Sequence, residues 1–296
     1  MLSPLRRAAW AAVALIWGWL AVAGAVGAAP ALWRVQGAHN EIYLFGTLHA
    51  LPPDLAWRTR AYDAAYAKAS VVWFEAGLDQ ADPQTINQLL ARYGTDRNRP
   101  LSGKLPPAAL AELGREVDVK SIDHLRPWAA AMMLSIRPML TQGARVEAGA
   151  DFTVSRAAHA QEKTVRAFET LEDQARLFAS LSEAAEVRYL TDVIERRSPQ
   201  RRRVPAPSPQ SLAQSWMNGD LPREGRAQLA SMQAANPDLY EALIRRRNLA
   251  WADALARELA DGSEIELVNV GALHLVGDDG LPALLAARGL RVERVQ

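Results

Sequence analysis

The chain has 296 residues, 49% of them hydrophobic, enough for one large core or two small ones. Its 34 basic and 33 acidic residues nearly cancel, so no basic footprint points to nucleic acid. Cysteine is absent, which excludes disulfides, thiolate metal sites, a cysteine nucleophile and a lipid-modified N-terminal cysteine.

Arg6 and Arg7 precede the apolar run AAWAAVALIWGWLAVAGAVGA, which ends in small-x-small triplets at Ala23–Ala25 and Val26–Ala28. A positive segment, an apolar segment and small residues form a cleavable export signal, so residues 1–28 read as a signal peptide and the mature chain begins near Ala29. The apolar run is long enough to serve instead as an uncleaved membrane anchor. Either way the remainder is expected on the exported side, periplasmic or secreted. Removing Arg6 and Arg7 leaves 32 basic against 33 acidic residues, a neutral mature protein.

LWRVQGAHNEIYLFGTLH predicts a hairpin, two β-rich runs around the polar turn Gly37–Asn40. Trp57, Ala61, Ala64 and Ala65 have the spacing of a helix face. SVVWFEAGLD predicts a short buried strand ending at Glu75. Residues 82–147 read as mostly helical, with breaks at Pro100, Gly103, Pro106 and Pro107. Within them Trp128, Met132, Ile136 and Leu140 share one face, expected to be core. A loop and helix follow, and TVRAFE is a strand ending at Glu169. Residues 195–210, rich in proline and arginine, read as a mobile surface loop.

Asn236-Pro237 is a helix start, asparagine as cap and proline in the first turn, and the helix is expected to run to about Leu259. EIELVNVGALH is then a strand, GLPALLAARG a helix stopped by Gly289, and LRVERV a last strand. Strands alternating with helices argue for an α/β fold, a largely parallel sheet with an N-terminal hairpin and flanking helices. Residues 29–296 are taken as a single domain.

Two of these strands end alike, in Gly46-Thr47-Leu48-His49 and Gly271-Ala272-Leu273-His274, with Asp54 and Asp279 each five residues on. In open α/β sheets ligands bind at the carboxyl ends of strands. A lone Gly-x-x-His recurs by chance, but two copies in one strand-to-turn context point to a shared site. His49, His274, Glu75 and Glu169 are expected on one rim, Glu75 between the histidines. Two imidazoles and a carboxylate suit a divalent ion whose bound water is acidified, while a second carboxylate takes the proton. Without thiolates the candidate ions are Mn, Co, Fe and Zn. His39, His124 and His159 lack that context and read as surface or local hydrogen-bonding residues. Arg247 lies within the apolar stripe of Tyr240, Leu243, Ile244, Trp251, Ala254 and Leu255. A buried guanidinium needs an anion, so it is either an ion-pair partner or an oxyanion-stabilising group of the site.

At these residues the chain resembles the TraB/GumN family, which includes the Tiki membrane-tethered metalloproteases. The resemblance covers most of the mature chain and is carried by YLFGTLHALP, VVWFEAGLD, RAFETLEDQ, RRRNLAWADAL and VNVGALHLVGDDGL in that order. It implies a metal-dependent α/β fold related to the erythromycin-esterase and ChaN-like group. The family's two Gly-x-x-His motifs fall on His49 and His274, its strand-end glutamate on Glu75, its later acidic strand end on Glu169, and its helix Arg-Asn pair on Arg247-Asn248. The expectation is an exported metal-dependent hydrolase acting on peptides. Its metal would sit on His49, His274 and Glu75, with Glu75 as ligand or base, Glu169 as the second carboxylate and Arg247 at the oxyanion. The alternative is a non-catalytic protein binding haem, iron or a partner in the same pocket.

Overall fold

The computed structural model describes residues 29–77, 82–197 and 209–296; the expected leader and most of the expected loop at 195–210 lie outside them. Its six strands are β1 (Leu32–Gln36), β2 (Glu41–Thr47), β3 (Val71–Ala76), β4 (Thr164–Glu169), β5 (Ile265–Gly271) and β6 (Arg291–Arg294). They form one sheet in the order β4-β3-β5-β2-β1-β6. The pairs β4–β3, β3–β5 and β5–β2 are parallel; β1 pairs antiparallel with β2, as the expected hairpin, and with β6. The α/β reading with a largely parallel sheet therefore holds.

Both faces of the sheet are covered, and the strand period of two divides the side chains between them. Tyr43 and Phe45, Val72 and Phe74, and Leu267 join one core with helices α1 (Arg60–Lys68), α6 (Ala150–Ala160) and α9 (Pro209–Met217). Ile42 and Leu44, Val71 and Trp73, and Val268 and Val270 join the other with α12 (Arg246–Asp261) and α13 (Leu281–Ala287). Glu75 is in phase with Val71 and Trp73, which sends its side chain toward α12.

Between β3 and β4 run α2 (Pro83–Tyr93), α3 (Pro107–Glu116), α4 (Val119–Ile122) and α5 (Pro127–Thr141). After β4 come α7 (Leu171–Ala179), α8 (Glu183–Arg197), α10 (Leu221–Ala235) and α11 (Pro237–Tyr240). Leu101, Leu113, Trp128, Leu134, Leu190 and Ile194 give α3, α5 and α8 a separate helical core.

Five expectations are corrected here. Met132, Ile136 and Leu140 are 42%, 38% and 44% exposed. The small residues Ala130 and Ala131 with Leu134 form the buried stripe of α5 instead, because small side chains let it pack closely on α8. On α1, Tyr62, Ala65 and Tyr66 are buried while Ala61 and Ala64 are exposed, since the helix begins at Arg60, after Trp57. Arg197 still belongs to α8, so that helix enters the stretch read as a loop. The helix from Pro237 is not one regular α-helix: Glu241–Arg245 form a π turn between α11 and α12. Its extra residue re-phases the chain, so Tyr240 and Ile244 pack with Leu229 and Val276 while Trp251 and Leu255 face the sheet. Finally, β5 lies between β2 and β3, so the strand of His274, not that of Glu75, is the central one.

Candidate active site

The ends of β2 and β5 are paired, Thr47 opposite Gly271, which brings the two Gly-x-Leu-His turns side by side. Gly271 marks the centre. A side chain there would come 2.9 Å from Glu75 Oε1, 3.4 Å from His49 Nε2 and 3.7 Å from His274 Cδ2. Only a residue without Cβ leaves that space open. Gly46 serves packing: a Cβ would lie 3.0 Å from the Ala272 backbone.

Each histidine has its tautomer set from behind. His49 Nδ1 lies 2.5 Å from Asp151 Oδ2. A carboxylate only accepts, so Nδ1 carries the proton and Nε2 faces the centre. His274 Nδ1 lies 2.6 Å from Asn248 Oδ1. The Asn248 amide nitrogen donates to the carbonyls of His274 and Asp279 at 3.2 and 2.6 Å, so its oxygen must be the acceptor and Nδ1 the donor. His274 is buried beneath Trp251, with ring centroids 4.7 Å apart, whereas the His49 side chain is 62% exposed and open to an incoming molecule.

Arg247 joins the two carboxylates. Its Nε and Nη2 donate to Glu169 at 2.8 and 2.9 Å, and Nη2 also donates to Glu75 Oε2 at 2.8 Å. Nη1 donates to the Leu243 carbonyl and to His274 Nε2, each at 3.1 Å. All five guanidinium protons are thus engaged. The expected oxyanion contact would require one of these bonds to be given up. Glu75 Oε1 meanwhile accepts from the Gly271 N–H at 2.5 Å and lies 3.5 Å from His274 Nε2.

These neighbours set the charges. Burial pushes Glu75 upward, but His274, Arg247, His49 and the Gly271 N–H together hold it down at about 2. Burial lowers His274 to about 4, and Glu75 only partly offsets it, so the imidazole is neutral at pH 7 and its Nε2 lone pair accepts from Arg247 Nη1. Desolvation by the surrounding protein lowers His49 too, but the charge and hydrogen bond of Asp151, with Glu75, win and raise it to about 9, so at pH 7 without a metal His49 is an imidazolium whose Nε2 proton a metal ion would have to displace.

Two imidazoles with Nδ1–H pinned and Nε2 turned toward a carboxylate have the donor chemistry and outer-shell support of a divalent-ion site. The three-ligand set is not closed, however. Among the described residues no three His, Asp or Glu side chains stand at metal-holding spacing, and Arg247 engages both Glu75 and the His274 lone pair.

The expected residues His49, Glu75, Glu169, Arg247 and His274 therefore do converge. The paired acids do not match: Asp54 is exposed, while Asp279 accepts from Tyr240 at 2.7 Å and its carbonyl holds Asn248. Asp151 had no signal in the sequence, because it lies on α6, 102 positions from its partner. A cavity of about 290 Å³ lies elsewhere, among Asp96, Lys104, Arg126, Glu183 and Glu186. Its charges pair with one another, Lys104 with Asp96 at 2.6 Å and Arg126 with Glu186.

The TraB/PrgY/gumN family model matches residues 31–294, nearly the whole described chain. The chain belongs to the TraB/PrgY/gumN family. Its curated relatives include the uncharacterized protein YbaP of Escherichia coli (strain K12) and that of Shigella flexneri. Each is 26% identical over 267 residues, covering 90% of this chain and 96% of the relative. No solved structure matches.

Proposed function

We propose that this TraB/PrgY/gumN family member is an exported, metal-dependent hydrolase of peptide bonds. The observation that carries the reading is the pair of imidazoles with Nδ1–H pinned from behind, both turned toward an ionised, half-buried glutamate. A divalent ion, Mn, Co, Fe or Zn, would be held by His49, His274 and Glu75, and when bound would supply an acidified water and a Lewis acid for the carbonyl.

The chain's own groups have separable tasks. Asp151 and Asn248 orient the imidazoles. Arg247 helps keep Glu75 ionised and holds both Glu75 and Glu169 in place, which makes it a positioning residue. Glu169 is the second carboxylate, able to take a proton within reach of Glu75. His49, the exposed member, meets the substrate.

The contact between Arg247 Nη1 and His274 Nε2 favours a second reading, a metal-free hydrolase in which His49 and the carboxylates handle protons alone. One experiment separates the two. Purified protein is analysed for bound metal and assayed on a peptide library with and without chelator. Metal near one equivalent and chelator-sensitive cleavage are expected. Cleavage indifferent to chelator would favour the second reading. Stoichiometric haem or iron without cleavage would favour a binding protein instead.

A further inference from the structure

The strand that ends in Glu169 is an edge of the sheet, and among the described residues no strand pairs with its outer side. Thr164 N donates to Ser70 O at 3.1 Å, so the backbone groups of Thr164, Arg166 and Phe168 point inward to β3. Strand alternation turns the N–H and C=O of Val165, Ala167 and Glu169 outward. Among the described residues no backbone hydrogen bond reaches the outward groups of Val165 or Ala167. Thr164, Arg166 and Ala167 are exposed.

Such an edge invites another strand unless it is guarded. The opposite edge, β6, has the sequence Arg-Val-Glu-Arg, and Glu293 pairs with Arg34 and Arg291. By contrast, β4 has a single charged residue before Glu169. That residue, Arg166, lies against Trp73 and 3.2 Å from Glu258, over a sheet face rather than across the edge. The unguarded edge is the one that runs into the candidate active site.

We infer that β4 is the substrate-docking strand: an extended peptide adds to its outer edge and is thereby led past Glu169 to the centre at Gly271. This rests on the peptide-hydrolysis reading for its purpose, but not for its measurement. Recognition by backbone hydrogen bonds selects unfolded or extended segments with little dependence on side chains. It also sets a length. The added strand would lie three strand spacings, about 14 Å, from β5 and Gly271, a gap that about four extended residues cover. Substrates therefore need a paired segment separated from the cut bond by about four residues.

Ala167→Pro tests the edge directly. It removes an outward N–H while the inward ladder through Arg166 and Phe168 is retained, the arrangement in which an edge strand tolerates proline. Binding is measured by fluorescence anisotropy, without cleavage, using the tightest binder from a random pool of peptides about twelve residues long. Ala167→Pro should weaken that binding about tenfold, the loss expected for one unmade hydrogen bond plus the displaced peptide group. It should leave the melting temperature and the hydrolysis of di- and tripeptide amides, too short to reach the edge, unchanged. N-methylation along the bound peptide should weaken binding at every second position only.

A variant that binds the long peptide as the wild type does would overturn the inference. So would N-methyl effects without a period of two, or a pool yielding no binder. A wild-type dimer that Ala167→Pro converts to monomer would give the edge to a second copy of the chain, and that too would overturn it. If peptides bind with period two but are not cut, the docking strand stands and the hydrolase reading fails.

Discussion

Asn248 is fully buried and spends its whole side chain on the turn that carries His274. Asn248→Ala would leave an imidazole N–H and two carbonyls short of a partner, costing about 1–3 kcal/mol. Imidazole ¹⁵N shifts should show His274 passing from a single Nδ1–H tautomer to a mixture, and any hydrolysis should fall roughly 10- to 100-fold. Gly271→Ala puts a methyl group into the space that Glu75 and the two imidazoles share. It should displace the Glu75 carboxylate and reduce turnover about 100-fold, whereas the denaturation midpoint moves little. Arg247→Met leaves the half-buried Glu75 and Glu169 without their cation. The expected loss is about 3–5 kcal/mol in urea denaturation, partly recovered when Glu169→Gln is added. An unaltered midpoint in Arg247→Met would show that the two carboxylates are solvated.

Among the elements, α5 and the π turn decide most. Met132, Ile136 and Leu140 lie on the open side of α5, so replacing all three with glutamine should shift stability by about 0.5 kcal/mol or less per site. Were the stripe core, each change would cost about 2–5 kcal/mol, and urea denaturation separates the two readily. The π turn at Glu241–Arg245 adds a residue to one helical turn just before Arg247 and Asn248. It lets one continuous helix use two cores, Ile244 packing beside Leu229 and Trp251 against the sheet. The same turn aims the guanidinium at the strand ends.

For the whole molecule, the sheet interior holds a titrating group away from the site. Glu266 on β5 is 2% exposed and accepts from Trp73 Nε1 at 2.8 Å. Burial, reinforced by Glu258, raises it to about 7 against the opposing Trp73 and Arg166. Its ordinary value is 4.5, so between pH 4.5 and 7 the folded state binds the additional proton. Stability then falls as pH rises through that window and levels off above it. Glu266→Gln should remove that slope, worth on the order of 2 kcal/mol across the window, in urea titrations at a series of pH values. A slope unchanged in the variant would assign it to other groups.

The strands, their mainly parallel pairing and the convergence of His49, Glu75, Glu169, Arg247 and His274 were legible in the sequence. Strand-end position is a local property: a β-rich run, a glycine and then a histidine or carboxylate place a side chain at a rim whatever the sheet order. Strand order was not legible, because β5 pairs with both β2 and β3 through contacts about 200 residues apart in the chain. Nor was the choice of α5's buried face, which depends on how closely α8 can approach, and no helical wheel contains that. Behind the site, the resemblance named Asn248 but not its bond to His274, and it left Asp151 unnamed. A hydrogen bond leaves no periodic trace, so only the packed structure could decide which acceptor fixes each imidazole.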